Sequence, residues 1–166
     1  TRHLLFKEIF KVKKTLKYIY EALGKTESMR IAEFLVNHYY SKIPSGIKIV
    51  ETPFADDTLK GDYDVDRNKI RIRTSYNKKS DFIISVLHEI KHAMDAKAYK
   101  GKHGRGRKGY KESYQMEMNR QIALGKHQYH DNRYEIAAEK WAQQEYRKRW
   151  RGCLLYTSDA ADDFTS

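Results

Sequence analysis

A chain of 166 residues with 40% hydrophobic residues is long enough for one folded domain with a modest core, and its composition excludes a disordered tail. No apolar run reaches the length that spans a bilayer, and no secretory signal pattern opens the sequence, so a cytoplasmic setting is expected. The formal net charge is +11, which draws nucleic acid, acidic proteins and anionic surfaces.

The stretch from Cys153 to Ser166 differs sharply in composition from the basic segment before it and reads as the translation of a sequencing adapter. The expected organisation is therefore one domain over residues 1–152, with a helical part at 1–45 and the sheet and metal site at 46–152, followed by a non-native tail at 153–166. All 33 Lys and Arg precede the tail, and three of the 22 acidic residues lie in it, so the body carries +14. Cys153 is the chain's one cysteine, so the body has no thiol. Disulfides and cysteine-ligated zinc are excluded from it.

Residues 4–22 read as a helix, with Leu5, Ile9, Val12, Leu16, Ile19 and Tyr20 at helical spacing and Gly24 as its C-cap. A second helix is expected over 27–40, capped by Ser28, with Ile31, Phe34, Leu35 and His38 or Tyr39 inward. Pro44-Ser45-Gly46 breaks the pattern. Ile47-Lys48-Ile49-Val50 then alternates as a strand. Residues 61–73 read as a hairpin turning at Asp66-Arg67-Asn68-Lys69. Its return strand, Ile70, Arg71, Ile72 and Arg73, has the charges of an edge strand, to which an extended peptide can add.

Ser80-Asp81 is expected to cap a central helix with the apolar stripe Ile83, Leu87, Ile90 and Met94. This helix carries His88-Glu89-Ile90-Lys91-His92, an H-E-x-x-H string. Residues four apart share a helix face, so His88 and His92 can grip one metal ion while Glu89 reaches a water on it. Asp95 reads as finishing the helix. Residues 99–112 read as a glycine-rich, basic, solvated loop, without the ending of a phosphate-binding loop. A short helix is expected over 112–123. The last helix, Asn132 to Trp150, places Glu135, Ala138, Glu139, Ala142 and Tyr146 on one face. Zinc in a catalytic site needs a third protein ligand with a fourth position open, and a glutamate across the cleft meets that need.

The H-E-x-x-H string followed by Glu135-Ile136-Ala137-Ala138-Glu139 resembles the zincin metallopeptidases whose third ligand is glutamate, the gluzincins, and in particular small phage- or mobile-element-encoded metallopeptidases. The resemblance covers roughly residues 61–150. It implies an α+β fold with a small antiparallel or mixed sheet on a central H-E-x-x-H helix, N-terminal helices and a C-terminal ligand-bearing helix. It implies one zinc ion on His88, His92 and Glu135, Glu89 as general base in peptide-bond hydrolysis, and Glu139 orienting a ligand histidine. Glu139 stands where the family usually has aspartate. The third histidine of the metzincins is absent, since Ala98 occupies its place. Donors to a developing oxyanion are sought among His127, Tyr129, His130 and Tyr134, with His130 and Tyr134 nearest in sequence to Glu135. A peptide or protein is the expected substrate. A basic nucleic-acid-associated protein, including a DNA-linked protease, and an inactive zincin-like binding scaffold are the alternatives; an intact Glu89 argues against the scaffold.

Overall fold

The computed structural model describes residues 26–53, 59–76 and 78–152, and the architecture is α+β. The expected helix at 4–22 and the tail at 153–166 lie outside the described residues. In chain order, α1 is Glu27–His38, β1 is Lys48–Glu51, β2 is Gly61–Asp64 and β3 is Lys69–Ile72. The long α2 is Lys79–Ala98, a two-strand ribbon follows as β4 (Lys100–Gly101) and β5 (Gly104–Arg105), then α3 is Gly106–Ala123 and α4 is Arg133–Glu145. A single turn of π-helix, Tyr146–Trp150, extends α4. Among the described residues no helix is long and apolar enough to cross a membrane.

The three-stranded sheet has the order β1-β3-β2, with β1 parallel and β2 antiparallel to β3. The segment Ile70–Ile72 is therefore the middle of the sheet, not its edge as its charges suggested. Arg73, just beyond it, continues the ladder by donating from its backbone N to Lys60 O at 3.0 Å. The alternation is real but means something else: Ile70 and Ile72 are fully buried on the core face, while Arg71 pairs with Asp62 on the outer face. Each charge is balanced by its cross-strand neighbour, so a central strand tolerates it. The hairpin turn is held by Asn68, at φ 51°, whose Oδ1 accepts from Tyr63 Oη at 2.7 Å and whose Nδ2 donates to Ser45 O at 3.0 Å. That residue bolts the turn to the loop before β1, and asparagine is among the few side chains that accept this left-handed backbone.

The sheet's core face rests on α2. No Gly or Pro interrupts Lys79–Ala98, Asp81 lies in its first turn and Lys97 in its last, both matched to the helix dipole. The helix begins earlier than Ser80-Asp81 predicted: Lys78 is the N-cap and no side chain caps it. Likewise α1 is capped by Thr26, not Ser28, through Met29 N to Thr26 Oγ1 at 3.3 Å. Burial on α2 is wider than one stripe. Ile83, Leu87 and Ile90 are fully covered, Met94 only partly, and Phe82, Val86, Ala93 and Ala96 form a second covered face. Apolar surface removed from water on both flanks makes α2 the axis of the core. The C-terminal turn closes the other side. Trp150 Nε1 donates to Tyr39 Oη at 2.9 Å, and Tyr39 Oη donates to Glu145 at 2.8 Å, joining α1 to the end of α4.

The region 99–112 is not a solvated loop. It forms the β4–β5 ribbon and the first turns of α3, which starts six residues before the expected 112. The reason is a close approach: a Cβ on Gly109 would lie 2.7 Å from Gly104 O, so glycine lets the ribbon fold flat against α3.

Candidate metal centre

Two elements bring the site together. On α2, His88 and His92 are one turn apart, with rings 4.9 Å centroid to centroid. On α4, Glu135 sits in the first turn, and the start of that helix is fixed from two sides. Asn132, fully buried, caps it by accepting from Tyr134 N at 2.9 Å, and Glu117 of α3 accepts from Arg133 N at 2.9 Å. Ala138 and Ala142 are fully buried, and their small side chains let α4 approach α2 closely.

The result is convergence of three donors. His88 Nε2 lies 3.0 Å from Glu135 Oε2, and His92 Nε2 lies 2.7 Å from Glu135 Oε1. Ligand atoms of the three residues all fall within 4.8 Å of one another. The other ring nitrogens are also held. His88 Nδ1 is 2.9 Å from Glu139 Oε2, and His92 Nδ1 is 2.8 Å from Tyr110 Oη. Tyr114 Oη donates to Glu135 Oε1 at 3.1 Å. The longer glutamate at position 139 thus reaches its histidine from an exposed position one turn after Glu135.

Electrostatics follow from this packing. Burial opposes charge on His88, but its bonds to Glu135 and Glu139 overcome that and push its pKa up to about 10. Burial likewise opposes charge on Glu135, yet the bonds from His88 and His92 hold its carboxyl well below the usual range. The His88 bond chiefly holds Glu139 down as well. Burial pushes the Glu89 carboxyl up to about 7, against the pull of His92 and His88. Tyr110 and Tyr114 are raised by burial and stay protonated.

Glu89 is 7% exposed and faces β2. A Cβ on Gly61 would meet Ile72 Cδ1 at 2.8 Å and Arg71 O at 3.0 Å, so glycine is what lets β2 lie this close to β3, and Glu89 Cγ lies 3.4 Å from the same point, in ordinary contact. Among the described residues β2 pairs with β3 alone. Among the described residues the strand edge beside Glu89 is therefore Gly61–Asp64, not Ile70–Arg73.

The remaining expected residues have other partners. The Tyr134 hydroxyl shares a short hydrogen bond with Ser113 Oγ and accepts from Arg133 at 3.1 Å, while its ring stacks on Tyr114 at 6.0 Å. His130 is exposed; its backbone N donates to His127 Nδ1 at 3.0 Å, and its ring lies 4.2 Å from that of His127. Tyr129 is 46% exposed. None of the described bonds of His127, Tyr129, His130 or Tyr134 reaches His88, His92 or Glu135. Asp95 pairs with Lys91 at 2.7 Å, in keeping with a helix-end role. Sequence reasoning missed Tyr110 and Tyr114. Tyr110, Ser113, Glu117 and Gln121 form a buried helical period of α3, but three of the four are polar, so no apolar periodicity marked it, and the glycines before it read as loop.

Zinc–nitrogen and zinc–oxygen bonds are roughly 2.0–2.2 Å long, so tetrahedral ligand atoms stand roughly 3.3 Å apart. The spacings of 2.7 and 3.0 Å fit that set after an opening of a few tenths of an ångström. Two imidazoles with oriented far nitrogens and one carboxylate are the donor chemistry of a catalytic zinc site. No protein-family model matches the chain, and neither a curated protein nor a solved structure is significantly similar to it.

Proposed function

We propose that this chain is a zinc-dependent metallopeptidase of the gluzincin type, hydrolysing peptide bonds, with one ion held by His88, His92 and Glu135. The observation that carries the reading is the double convergence of the histidines: both Nε2 atoms meet on the Glu135 carboxylate while both Nδ1 atoms are held from behind, by Glu139 and Tyr110. Zinc in such a site acts as a Lewis acid, lowering the pKa of a water towards ~7 and polarising a carbonyl.

The chain's own residues divide the remaining work. With their Nε2 atoms given to the ion, His88 and His92 carry their protons on Nδ1, donated to the Glu139 carboxylate and the Tyr110 oxygen. These partners fix the ring planes. Glu89 is the general base: a buried carboxylate next to His88 on the same helix accepts a proton at its carboxylate oxygen and returns it to a leaving amine. Among the described residues Gly61–Asp64 has no strand on its outer side, and an extended peptide can add there as a further strand beside Glu89. A protein or peptide substrate held there needs no deep pocket.

The direct test is cleavage. Purified chain incubated with a mixed peptide library should cut internal peptide bonds, and a chelator should stop the cleavage until zinc is restored. An intact library, with zinc supplied and the chain folded, would sink the reading.

Tyr110 gives a second expectation. Removing its hydroxyl in Tyr110→Phe leaves His92 Nδ1 without an acceptor in a buried place, so zinc affinity should fall by ~10–100-fold. Chelator competition measures this, and an unchanged affinity would remove Tyr110 from the site.

A further inference from the structure

The segment 97–111 holds seven Lys or Arg and no Asp or Glu. The fold does not disperse these charges. In the β4–β5 ribbon Lys100 and Arg105 are directly opposed Cα partners, and like charges facing across a ribbon repel. Arg105 is also the N-cap of α3, Arg107 and Lys108 fall in its first turn, and no acidic residue does. Cations at that end meet the positive pole of the helix and oppose its dipole.

Compensation inside the chain is slight. Lys111 pairs with Asp66 at 2.7 Å, Arg107 donates to Val65 O at 2.9 Å, and Glu112 comes within 3.7 Å of His103. Lys100, Lys102, Arg105 and Lys108 are exposed and have no ion pair among the described residues. The ribbon cannot spread to relax them, because Gly109 clamps it to α3 and Gly106 N donates to Tyr99 O at 2.9 Å. A fixed, self-repelling cluster of cations is costly alone and favourable against a polyanion.

We infer that the β4–β5 ribbon and the first turn of α3 form a docking surface for the phosphate backbone of duplex nucleic acid. The charge fits a regular array of phosphates, which lysines and arginines neutralise with release of counterions. Single strands are bound on exposed aromatic platforms, and this surface has none: Tyr99 is half-buried and Tyr110 is buried. Membrane-surface segments bring apolar anchors beside their cations, and no large hydrophobic side chain is exposed between 97 and 112. Nothing here reads base edges, so the surface takes duplex without regard to sequence. It involves none of His88, Glu89, His92 or Glu135, so it stands or falls apart from the peptidase reading.

The test uses the full chain and a fluorescent 20-base-pair DNA duplex, with binding followed by anisotropy across a salt series. Wild type should bind with a steep salt dependence. A variant with Lys100, Lys102, Arg105 and Lys108 each changed to Gln should bind at least about tenfold more weakly at ~0.1 M salt, with a slope shallower by up to about 3.6. A second variant with Lys126, Lys140, Arg147 and Lys148 changed to Gln loses the same charge elsewhere and should stay within about twofold of wild type. The first variant should melt at or above the wild-type temperature, because repulsion has been relieved. Four results would overturn the inference: no binding by wild type, equal loss in both variants, a first variant that melts several degrees lower, or vesicles of phosphatidylcholine and phosphatidylserine bound as tightly as the duplex with the same variant sensitivity.

Discussion

Glu89→Gln is expected to keep its zinc and lose about 10²–10⁴-fold in peptide cleavage, the usual worth of a positioned general base. The amide has the shape of the carboxylate and fills the same buried space beneath Gly61, so packing is preserved. It has no proton-accepting oxygen of comparable basicity, so the proton transfer proposed for Glu89 should be lost. Zinc retention follows because Glu89 is outside the converging set of His88, His92 and Glu135. Removing a buried carboxyl whose burial opposes its charge should also leave the fold at least as stable as before. Cleavage within tenfold of wild type, in a variant of equal zinc content, would remove Glu89 from the base role.

Glu135→Ala should abolish stable metal binding while leaving the chain folded. Zinc held by four protein ligands in finger peptides gains roughly 10–16 kcal/mol, so one ligand is worth about 2.5–4 kcal/mol, or roughly 10²–10³-fold in affinity. The change also releases His88 and His92 from their common partner, so the two rings lose the contact that draws both Nε2 atoms to one point. Helix α4 should persist, because its start is held by Asn132 and Glu117 and its contact with α2 runs through Ala138 and Ala142. Chelator competition on wild type and variant gives the ratio. A variant that binds zinc as tightly as wild type would mean that the third ligand lies elsewhere.

The pair of helices that make the site was legible because the information is local. The spacing of His88 and His92 is a property of one helix, and the Glu135, Ala138, Glu139 and Ala142 face is a property of another. Their meeting was inferred from what a metal needs, and the donor atoms do converge. The identity of the strand edge beside Glu89 was not legible. Alternation marks Ile70–Arg73 as a strand, but its partners are set by tertiary pairing: β1, some twenty residues earlier in the chain, comes in parallel and takes the open side. Charges on Arg71 and Lys69 could mark an edge or an outer face balanced by Asp62 and Asp64, and only the register decides. Helix α3 was cut short for a related reason. Glycines at 101, 104, 106 and 109 read as loop chemistry, whereas Gly109 is there for contact with Gly104. That error hid Tyr110 and Tyr114, the hydroxyls that hold His92 and Glu135.

The same ambiguity applies to the basic segment. Lysine and arginine near a helix start read as solvation until the register sets Lys100 against Arg105 and no acid in the first turn answers them. The candidate metal centre and this cationic surface share α3, which supplies Tyr110 and Tyr114 to the one and Arg107 and Lys108 from its exposed beginning to the other.

X-ray absorption at the zinc edge of metal-loaded wild-type chain tests the central claim most directly. Wild type should hold one zinc per chain with two imidazole ligands and light oxygen ligands at roughly 2.0–2.2 Å, and His88→Ala should lose the zinc or show a single imidazole on what remains. A wild-type chain that binds no stoichiometric zinc, or a spectrum with the same two imidazoles after His88→Ala, would contradict the claim.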